Sequence, residues 1–223
     1  MDWVFLQETD STNRVAKDLA RQGAPHGTAV LAERQTAGRG RLDRRFFSPE
    51  GGLYLSVILR PQCPPEERLL TTPMAAVAVC RAVECLCGVS PGIKWVNDLY
   101  LEGKKLCGIL CEGTEDAVIV GIGLNLKAPE GGFPSGIPAV ALELAVERQV
   151  LAEEIRRQLL QPGVFLPEYR RRCLILSKTV TVHPVSGEPY EARAVDIDDR
   201  CRLIVESCRG RETLDSGEVS VRF

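Results

Sequence analysis

The sequence has no excess of basic residues: 28 lysines and arginines stand against 30 aspartates and glutamates, which gives a formal net charge of -2. A chain without an overall positive charge lacks the electrostatic footprint that is typical of nucleic-acid binders. The start, MDWVFLQE, has no basic segment before an apolar run, so no signal peptide is expected. The most apolar window, MAAVAVCRAVECLCG, is interrupted by Arg81 and Glu84, which predicts a buried or amphipathic helix rather than a membrane span. These absences favour a soluble, cytoplasmic protein that binds neither DNA nor a membrane.

A metal-binding pattern is also missing from the sequence. The nine cysteines form no CxxC pair, and only His26 and His183 could supplement them as ligands. Cys85 and Cys87 are too close together for a zinc knuckle. We interpret the cysteines as small buried hydrophobic residues of a protein in a reducing compartment.

The chain alternates between strand-like and helix-like patterns. Its 223 residues, 44% of them hydrophobic, are enough to bury the core of one large domain with a small appendage. The alternation predicts an α+β fold with a mixed sheet, in which LYLEGK (99–104) is a turn between two strands. Strands are predicted at 3–8, 28–35, 52–61, 92–97, 104–113 and 117–126, and helices at 10–23, at 65–88, in a stretch after Pro138 that ends near Gln161, and at 166–174.

The composition of the sequence changes after residue 127. The segment APEGGFPSGIP (128–138) is too rich in glycine and proline for regular structure. Beyond Ser177 only short alternating runs with turn residues between them occur, and they predict four strands at 179–185, 190–198, 202–207 and 217–223. We therefore predict a main domain of residues 1–176 and a small barrel-like β module of residues 177–223, with the boundary near Leu176.

A cationic loop is predicted within RQTAGRGRLDRRFF (34–47). Gly38 and Gly40 would let the backbone approach a ligand closely, and the neighbouring arginines offer forked donors to phosphate or carboxylate oxygens. The segment is not a Walker loop, because no lysine followed by serine or threonine comes after the glycines. Taken alone, it fits a small-anion site and a solvated or nucleic-acid-contacting loop equally well. The arginines concerned are Arg39, Arg41, Arg44 and Arg45.

Two further segments concentrate polar residues and glycines near predicted strand ends. KWVND and KKLCGIL bring Lys94, Lys105, an asparagine and an aspartate close together in sequence. VGIGLNL places glycines on an apolar strand, where glycine usually marks a close approach by another group. Ordinary structural roles are also open for these residues: a surface lysine, a core tryptophan, a turn aspartate and a bulge glycine. The residues are Lys94, Trp95, Asn97, Asp98, Lys105, Gly121, Gly123 and Asn125.

Taken together, these motifs resemble those of the biotin protein ligase family. The resemblance is carried by DSTN (10–13), QTAGRGR (35–41), FFSP (46–49), KWVND (94–98), KLCGIL (105–110) and GIGLN (121–125). It implies a class II synthetase-like mixed sheet with helices and a C-terminal SH3-like barrel. It also implies an ATP-dependent ligase that uses Mg²⁺, converts biotin to biotinyl-5′-adenylate and transfers biotin to a lysine of a biotin carboxyl carrier domain. Because DSTN begins at residue 10, we expect the form without an N-terminal DNA-binding domain.

The resemblance also implies roles for individual residues. Lys105, Arg41 and Asp98 would be catalytic, and Asp98 would lie near the Mg²⁺ that accompanies ATP. The residues implied for biotin are Ser11, Thr12, Asn13, Gln35, Gly38, Arg39, Gly40, Arg41, Lys105 and Gly108. Those implied for ATP are Arg39, Arg44, Phe46, Asn97 and Asn125.

The sequence departs from the family pattern at four positions. Leu42 and Asp43 replace an arginine and a glycine of the loop, Val96 replaces the proline of the KWPND motif, and Phe46 replaces a common tryptophan. These departures bear on loop affinity and closure rather than on the reaction. A lipoate- or octanoate-type ligase of the same fold and a non-catalytic biotin or nucleotide sensor are the alternatives. The arginine–glycine loop with KWVND favours biotin, and Lys105 and Arg41 favour an enzyme.

Overall fold

The computed structural model describes residues 3–41, 44–136, 138–143, 145–184, 186–215 and 219–222. Its helices are α1 (Thr12–Arg21), α2 (Thr71–Cys87), α3 (Arg148–Leu160) and α4 (Leu166–Arg172), and a 3-10 helix covers Pro65–Leu70. Its strands are β1 (Trp3–Thr9), β2 (Ala29–Gln35), β3 (Leu53–Leu59), β4 (Gly92–Lys94), β5 (Asp98–Leu101), β6 (Lys104–Gly113), β7 (Val118–Leu124), β8 (Thr179–Pro184), β9 (Tyr190–Ile197), β10 (Leu203–Ser207), β11 (Gly210–Leu214) and β12 (Val219–Arg222).

The first seven strands form one mixed sheet. Its order is β1-β2-β3-β7-β6-β5-β4, in which β1 and β2 are parallel and the other pairs are antiparallel. Helix α1 packs on one face, against β2, β3 and β7, whereas α2 and α3 cover the other face. The predicted α+β fold with a mixed sheet is confirmed.

The middle of this sheet is buried along its length. Every residue of β3 and of β7 is buried, as expected for apolar strands that are covered on both faces. The segment Pro65–Cys87 is long and apolar enough, by length and composition alone, to cross a membrane. Its α-helical part packs against the sheet and α3, so it is the buried helix that the sequence predicts. Gly88, at a left-handed φ of 66°, ends it, as predicted from the closing glycine.

Four details in and around the main sheet differ from the sequence-based prediction. The strand predicted over 92–97 ends at Lys94. The single helix predicted over 65–88 is divided, because Pro73 is accommodated only in the first turn of an α-helix and so fixes the start of α2 near Thr71. The predicted turn LYLEGK contains strand β5, and only Glu102 and Gly103, with φ of 51° and 75°, make the reversal. The helix predicted after Pro138 begins only at Arg148.

The remaining strands form a second, antiparallel sheet. Its order is β11-β10-β9-β8-β12, which agrees with the predicted small SH3-like domain. The sequence missed β11, whose residues GRETL are mostly polar and pair on one side only, with β10. Buried residues of this sheet, such as Val180 and Leu203, belong to the same core cluster as α2 and the main sheet. The two sheets therefore share one continuous hydrophobic core.

Candidate active site

A cleft opens where the start of α1, the arginine-rich loop, the β4–β5 turn and strands β6 and β7 meet. Of the site residues predicted from the sequence, all but Gly38 and Asn125 line it. Motifs that are far apart in sequence thus converge on one concave surface, which is typical of a ligand site. The predicted residues in the lining are Ser11, Thr12, Asn13, Gln35, Arg39, Gly40, Arg41, Arg44, Phe46, Asn97, Asp98, Lys105 and Gly108.

The two remaining predicted residues lie beside the cleft. The carbonyl of Gly38 accepts the Phe46 N–H at 2.9 Å, and a Cβ at Gly38 would come within 2.4 Å of Ser48 Oγ, so only glycine fits there. The Asn125 side chain is buried, and its Nδ2 donates to the carbonyls of Lys105 at 3.3 Å and Val140 at 3.0 Å. Asn125 therefore supports the backbone from which Lys105 projects.

An ion pair lies in the cleft. Lys105 Nζ, on β6, is 2.7 Å from Asp98 Oδ1, on β5, and both side chains are about a quarter exposed. The same ammonium lies 5.7 Å from the centre of the Phe46 ring. Because Lys105 is held between a carboxylate and an aromatic face, its charge is directed into the cleft.

The arginine-rich loop folds back on itself over the cleft. Gly40 N–H donates to Arg44 O at 2.7 Å, and Arg39 and Arg45 form an antiparallel bridge. Arg41 Nη1 donates to Asn97 Oδ1 at 3.3 Å, which joins the loop to the β4–β5 turn. The departures Leu42 and Asp43 lie outside the described residues.

The Arg41 guanidinium is in an unusual environment for a cation. Burial lowers its pKa, Asp98 opposes that shift, and the nearby Arg44 adds to it. Arginine nevertheless stays protonated in proteins. A partly buried, charged guanidinium next to a second arginine attracts an anion, and this favours a small-anion site in the loop.

The Phe46 ring packs on two glycines of the main sheet. Gly108 and Gly123 face each other across β6 and β7, and a Cβ there would come within 2.9 Å and 2.4 Å of the Phe46 ring. The close approach that the strand glycines predict is thus made by this ring. Phe46 forms an apolar surface of the cleft next to Lys105.

A chain of hydrogen bonds runs behind one end of the cleft. Ser56 Oγ donates to Asn13 Oδ1 at 2.6 Å and lies 2.8 Å from Thr12 Oγ1, and Gln35 Oε1 accepts from the N–H of Thr12 at 2.9 Å. Gln35 Nε2 in turn donates to Ser48 Oγ at 3.0 Å. Ser56 is fully buried and was missed by sequence reasoning, although a lone serine within LYLSVIL was a usable signal.

A second missed residue, Glu112, completes the environment of Asn13. Asn13 Nδ2 donates to Glu112 Oε2 at 2.8 Å and to Leu110 O at 3.2 Å, and Lys17 forms an ion pair with the same carboxylate. A Cβ at Gly121 would come within 2.1 Å of Asn13 Oδ1, so the amide packs directly on β7. Asn13 is therefore fixed by protein contacts and shapes the cleft from its edge.

Glu112 gives a pH-dependent prediction. Burial opposes its ionisation, but hydrogen bonds from Lys17 and Asn13 outweigh burial and hold the pKa of Glu112 below its ordinary value. A carboxylate with a lowered pKa stabilises the fold above its unfolded pKa of about 4.3, and that contribution is lost as pH falls through the folded value. Glu112→Gln should therefore lower the free energy of unfolding by about 1–2 kcal/mol at pH 7.

Urea unfolding of wild type and Glu112→Gln at several pH values checks this expectation. The difference between the two proteins should shrink steadily below about pH 4. The exposed Glu115, on the following turn, supplies the control Glu115→Gln, which should leave stability nearly unchanged at every pH. A Glu112→Gln difference that stays constant down to pH 3 would contradict the assignment.

The cleft can neutralise negative charge but does not resemble a metal centre. Its cations are supplied by the arginine-rich loop, by Lys94 and by Lys105, and Asp98 is the carboxylate among the lining residues. Within the described part of the chain, no group of three His, Cys, Asp or Glu side chains could hold a metal ion. Such a site suits an anionic ligand whose reacting atoms are held in place and whose charge is neutralised.

Comparisons with known proteins agree with this arrangement. The sequence profile of the biotin/lipoate A/B protein ligase family matches residues 5–127, and that of the biotin protein ligase C-terminal domain matches residues 176–222. The chain is 33% identical to the biotin–[acetyl-CoA-carboxylase] ligase of Paracoccus denitrificans, over 96% of this chain and 98% of that protein. It is 34% identical to the bifunctional ligase/repressor BirA of Bacillus subtilis, over 98% of this chain and 73% of that protein.

Solved structures show the same similarity. The biotin protein ligase of Aquifex aeolicus in complex with biotin and ATP has a TM-score of 0.85 and 28% identity, and the match covers 99% of this chain and 98% of that one. The ligase of Leishmania major in complex with biotinyl-5-AMP has a TM-score of 0.68 and 26% identity, covering 96% of this chain and 99% of that one.

Proposed function

Because the chain belongs to the biotin protein ligase family, we propose that it activates biotin with ATP and transfers the biotinyl group to a lysine of a biotin carboxyl carrier domain. The observation that carries the proposal is the placement of Lys105 beside Asp98 and Arg41 in a cleft formed by the matching motifs. Solved relatives that bind biotin and ATP, or biotinyl-5-AMP, support the same chemistry. Residues 1–176 would carry the reaction, with residues 177–223 packed against them.

In the first step, a carboxylate oxygen of biotin attacks the α-phosphorus of ATP and pyrophosphate leaves. Both reactants are anions, so the protein contributes position and positive charge rather than a nucleophile. Arg39 and Arg41 would hold the carboxylate and phosphates, Arg44 would assist the departing pyrophosphate, and Lys105 would lie where charge builds between the two reactants.

In the second step, the neutral amine of the acceptor lysine attacks the acyl carbon of the adenylate. The carbon–oxygen bond to AMP breaks, the amide forms and the amine loses a proton. Asp98 Oδ1 lies 2.7 Å from Lys105 Nζ. Asp98 would hold the Lys105 ammonium and would receive the proton of the acceptor amine, directly or through water. The arginine-rich loop would shield the mixed anhydride from water until the acceptor arrives.

The two ends of the cleft suit the two parts of the adenylate. Ser11, Thr12 and Gln35 lie at the end with the buried hydrogen-bond chain, where a polar ring system such as the ureido group would find paired donors and acceptors. Phe46 and Asn97 lie near Lys105 and would contact the nucleotide. Gly38 and Asn125 would act through the backbone of the loop and of Lys105, respectively.

Mg²⁺ fits this site only as an ion carried by ATP. It typically binds phosphate oxygens with one or two carboxylates, and Asp98, the carboxylate among the lining residues, would take that part. When bound, the ion would neutralise phosphate charge. We place the protein in the cytoplasm because all nine cysteines are free thiols, as in a reducing compartment.

The test is pyrophosphate release by the purified protein with ATP and biotin, followed by mass spectrometry of an added biotin carboxyl carrier domain. We expect release that depends on biotin and a carrier mass increased by one biotinyl group. Equal or faster release with lipoate or octanoate would instead identify the alternative ligase. Binding of biotin and ATP without release of pyrophosphate would identify a sensor.

A further inference from the structure

The Trp95–Asn97 turn, which borders the cleft, is held by groups from distant parts of the chain. Trp95 Nε1 donates to the Cys201 carbonyl at 2.9 Å, and the Tyr169 hydroxyl donates to the Val96 carbonyl at 3.0 Å. The Trp95 side chain is 5% exposed and the Tyr169 side chain is fully buried. The turn between β4 and β5 is thus anchored to α4 and to the second sheet.

The same turn ends in a contact with the arginine-rich loop. Asn97 is fixed to β6 by two hydrogen bonds: its Nδ2 donates to Ile109 O at 2.7 Å, and its carbonyl accepts the Ile109 N–H at 3.0 Å. Its Oδ1 is then oriented to accept from Arg41 Nη1 at 3.3 Å. A displacement of Val96 would therefore shift the group that holds Arg41.

The anchor in the second sheet is itself rigidly built. Asp198 Oδ1 accepts the backbone N–H groups of Arg200 at 2.9 Å and of Arg202 at 2.8 Å, and the Asp198 carbonyl accepts the Cys201 N–H at 3.0 Å. Cys201 has a positive φ of 58° within this turn, which aims its carbonyl at Trp95. Arg170 Nε, on α4, donates to Ile197 O at 2.7 Å, just before the turn.

Two neighbouring residues of α4 thus support the Trp95–Asn97 turn, one directly and one indirectly. Tyr169 contacts Val96 directly, and Arg170 secures the segment that presents the Cys201 carbonyl. Such preorganisation matters because a donor that is displaced by about 1 Å loses much of its effect on a transition state.

We propose that Tyr169 is a positioning residue: together with the Cys201 carbonyl it sets the Trp95–Asn97 turn so that Asn97 holds Arg41 over the cleft. The inference rests on the proposed function and adds a residue outside the matching motifs. Tyr169 is not among the residues that line the cleft, and its hydroxyl acts through Val96 and Asn97.

The variant Tyr169→Phe keeps the buried ring and removes the hydroxyl. In pyrophosphate release with biotin and ATP, kcat/KM for ATP should fall roughly tenfold, the scale of one lost buried hydrogen bond that leaves its acceptor without that donor. In an Asn97→Ala background the same change should cost less than about twofold, because the link to Arg41 is already broken. Equal losses in both backgrounds would show a merely structural role and overturn the proposal.

Tyr190→Phe is the matched control. It also removes a tyrosine hydroxyl hydrogen bond, to Glu212 Oε2 at 2.7 Å, but within the second sheet. Its kcat/KM should stay within about twofold of wild type. If kcat/KM also fell tenfold in Tyr190→Phe, any weakening of the second sheet would impair the site. That result would contradict a specific role for Tyr169.

A readout without substrates separates this inference from the proposed function. The chain has two tryptophans, so the indole N–H of Trp95 can be followed by NMR. Its hydrogen exchange should be roughly tenfold faster in Tyr169→Phe than in wild type and Tyr190→Phe. If the exchange rate of the Trp95 indole N–H were unchanged in Tyr169→Phe, the proposal that Tyr169 holds the Trp95–Asn97 turn would be overturned. If wild type released no pyrophosphate from biotin and ATP, the proposed function would fail, and faster indole exchange would still support the link.

Discussion

Lys105→Ala should reduce biotinyl-adenylate formation by roughly 100- to 1000-fold, the scale seen when a preorganised transition-state donor is removed. The ammonium lies on β6 between Asp98 and Phe46, so its position is set before any ligand arrives. Negative charge builds where the biotin carboxylate meets the α-phosphate, and the alanine variant has no cation there. Single-turnover pyrophosphate release with biotin and ATP measures this step.

The neighbouring lysine supplies the control for this prediction. Lys104 is exposed at the start of the same strand, and Lys104→Ala should retain near wild-type rates. Transfer from chemically supplied biotinyl-adenylate should suffer less in Lys105→Ala than adenylate formation does. An equal loss in both steps, or no loss in the first, would show that Lys105 has a different role.

Arg172→Met should lower the free energy of unfolding by about 3 kcal/mol, because it removes the hydrogen bonds of a buried guanidinium and leaves the partly buried Glu168 without one of its partners. The Arg172 side chain is 4% exposed, its Nε lies 2.8 Å from Glu168 Oε1, and it also pairs with Glu84. Arg81 still pairs with Glu168 after the change, which keeps the loss at the lower end of the range for broken buried pairs. Urea unfolding at pH 7 measures it.

The residue just before it gives a control on the same helix. The Arg171 side chain is 68% exposed and lies 3.8 Å from Glu168, so Arg171→Met should change stability by less than about 0.5 kcal/mol. A similar loss for both variants would mean that net charge on α4, rather than the buried pair, stabilises the fold.

The arginines of α4 illustrate what the sequence could not predict. The sequence correctly predicted a helix at LPEYRRRCL, yet nothing in three consecutive arginines indicates which of them is buried. That outcome depends on α2 and on the Ser90–Pro91 segment, to which Arg172 Nη1 donates at 3.0 Å and 3.5 Å. Burial of a charge is decided by partners that only the folded structure brings together.

Most of the fold followed from local patterns. The apolar runs of β3 and β7 and the long α2 were predicted because their composition leaves few alternatives. Strands β5 and β11 were missed because each is short and has turn residues beside it, so neighbouring strands rather than local preference make them extended. The early start predicted for α3 was wrong for the same reason: weak helical patterning was extended across a segment that packs irregularly.

For the candidate site, the motifs predicted the lining but not its support. Residues of the motifs converge on one cleft, whereas Ser56, Glu112 and Tyr169 lie behind it and belong to no quoted motif. Asn13 and Asn125 are predicted to contact a ligand, and in the structure their amides are also bonded to protein groups. An amide in a motif can serve either purpose, and only its neighbours decide between them.

The pairing of β3 with β7 governs when the cleft can exist during folding. Residues 53–59 pair with residues 118–124, so even the nearest partners, Leu59 and Val118, are 59 positions apart in the sequence (118 − 59). Such contacts of large sequence separation have a high entropic cost and generally form slowly. Gly121 and Gly123 lie opposite Ser56 and Tyr54 in this pairing. The surfaces on which Asn13 and Phe46 pack therefore exist only when the two strands have paired. We therefore expect the cleft to form late in folding, so that a partly folded chain would carry the motifs without having the site.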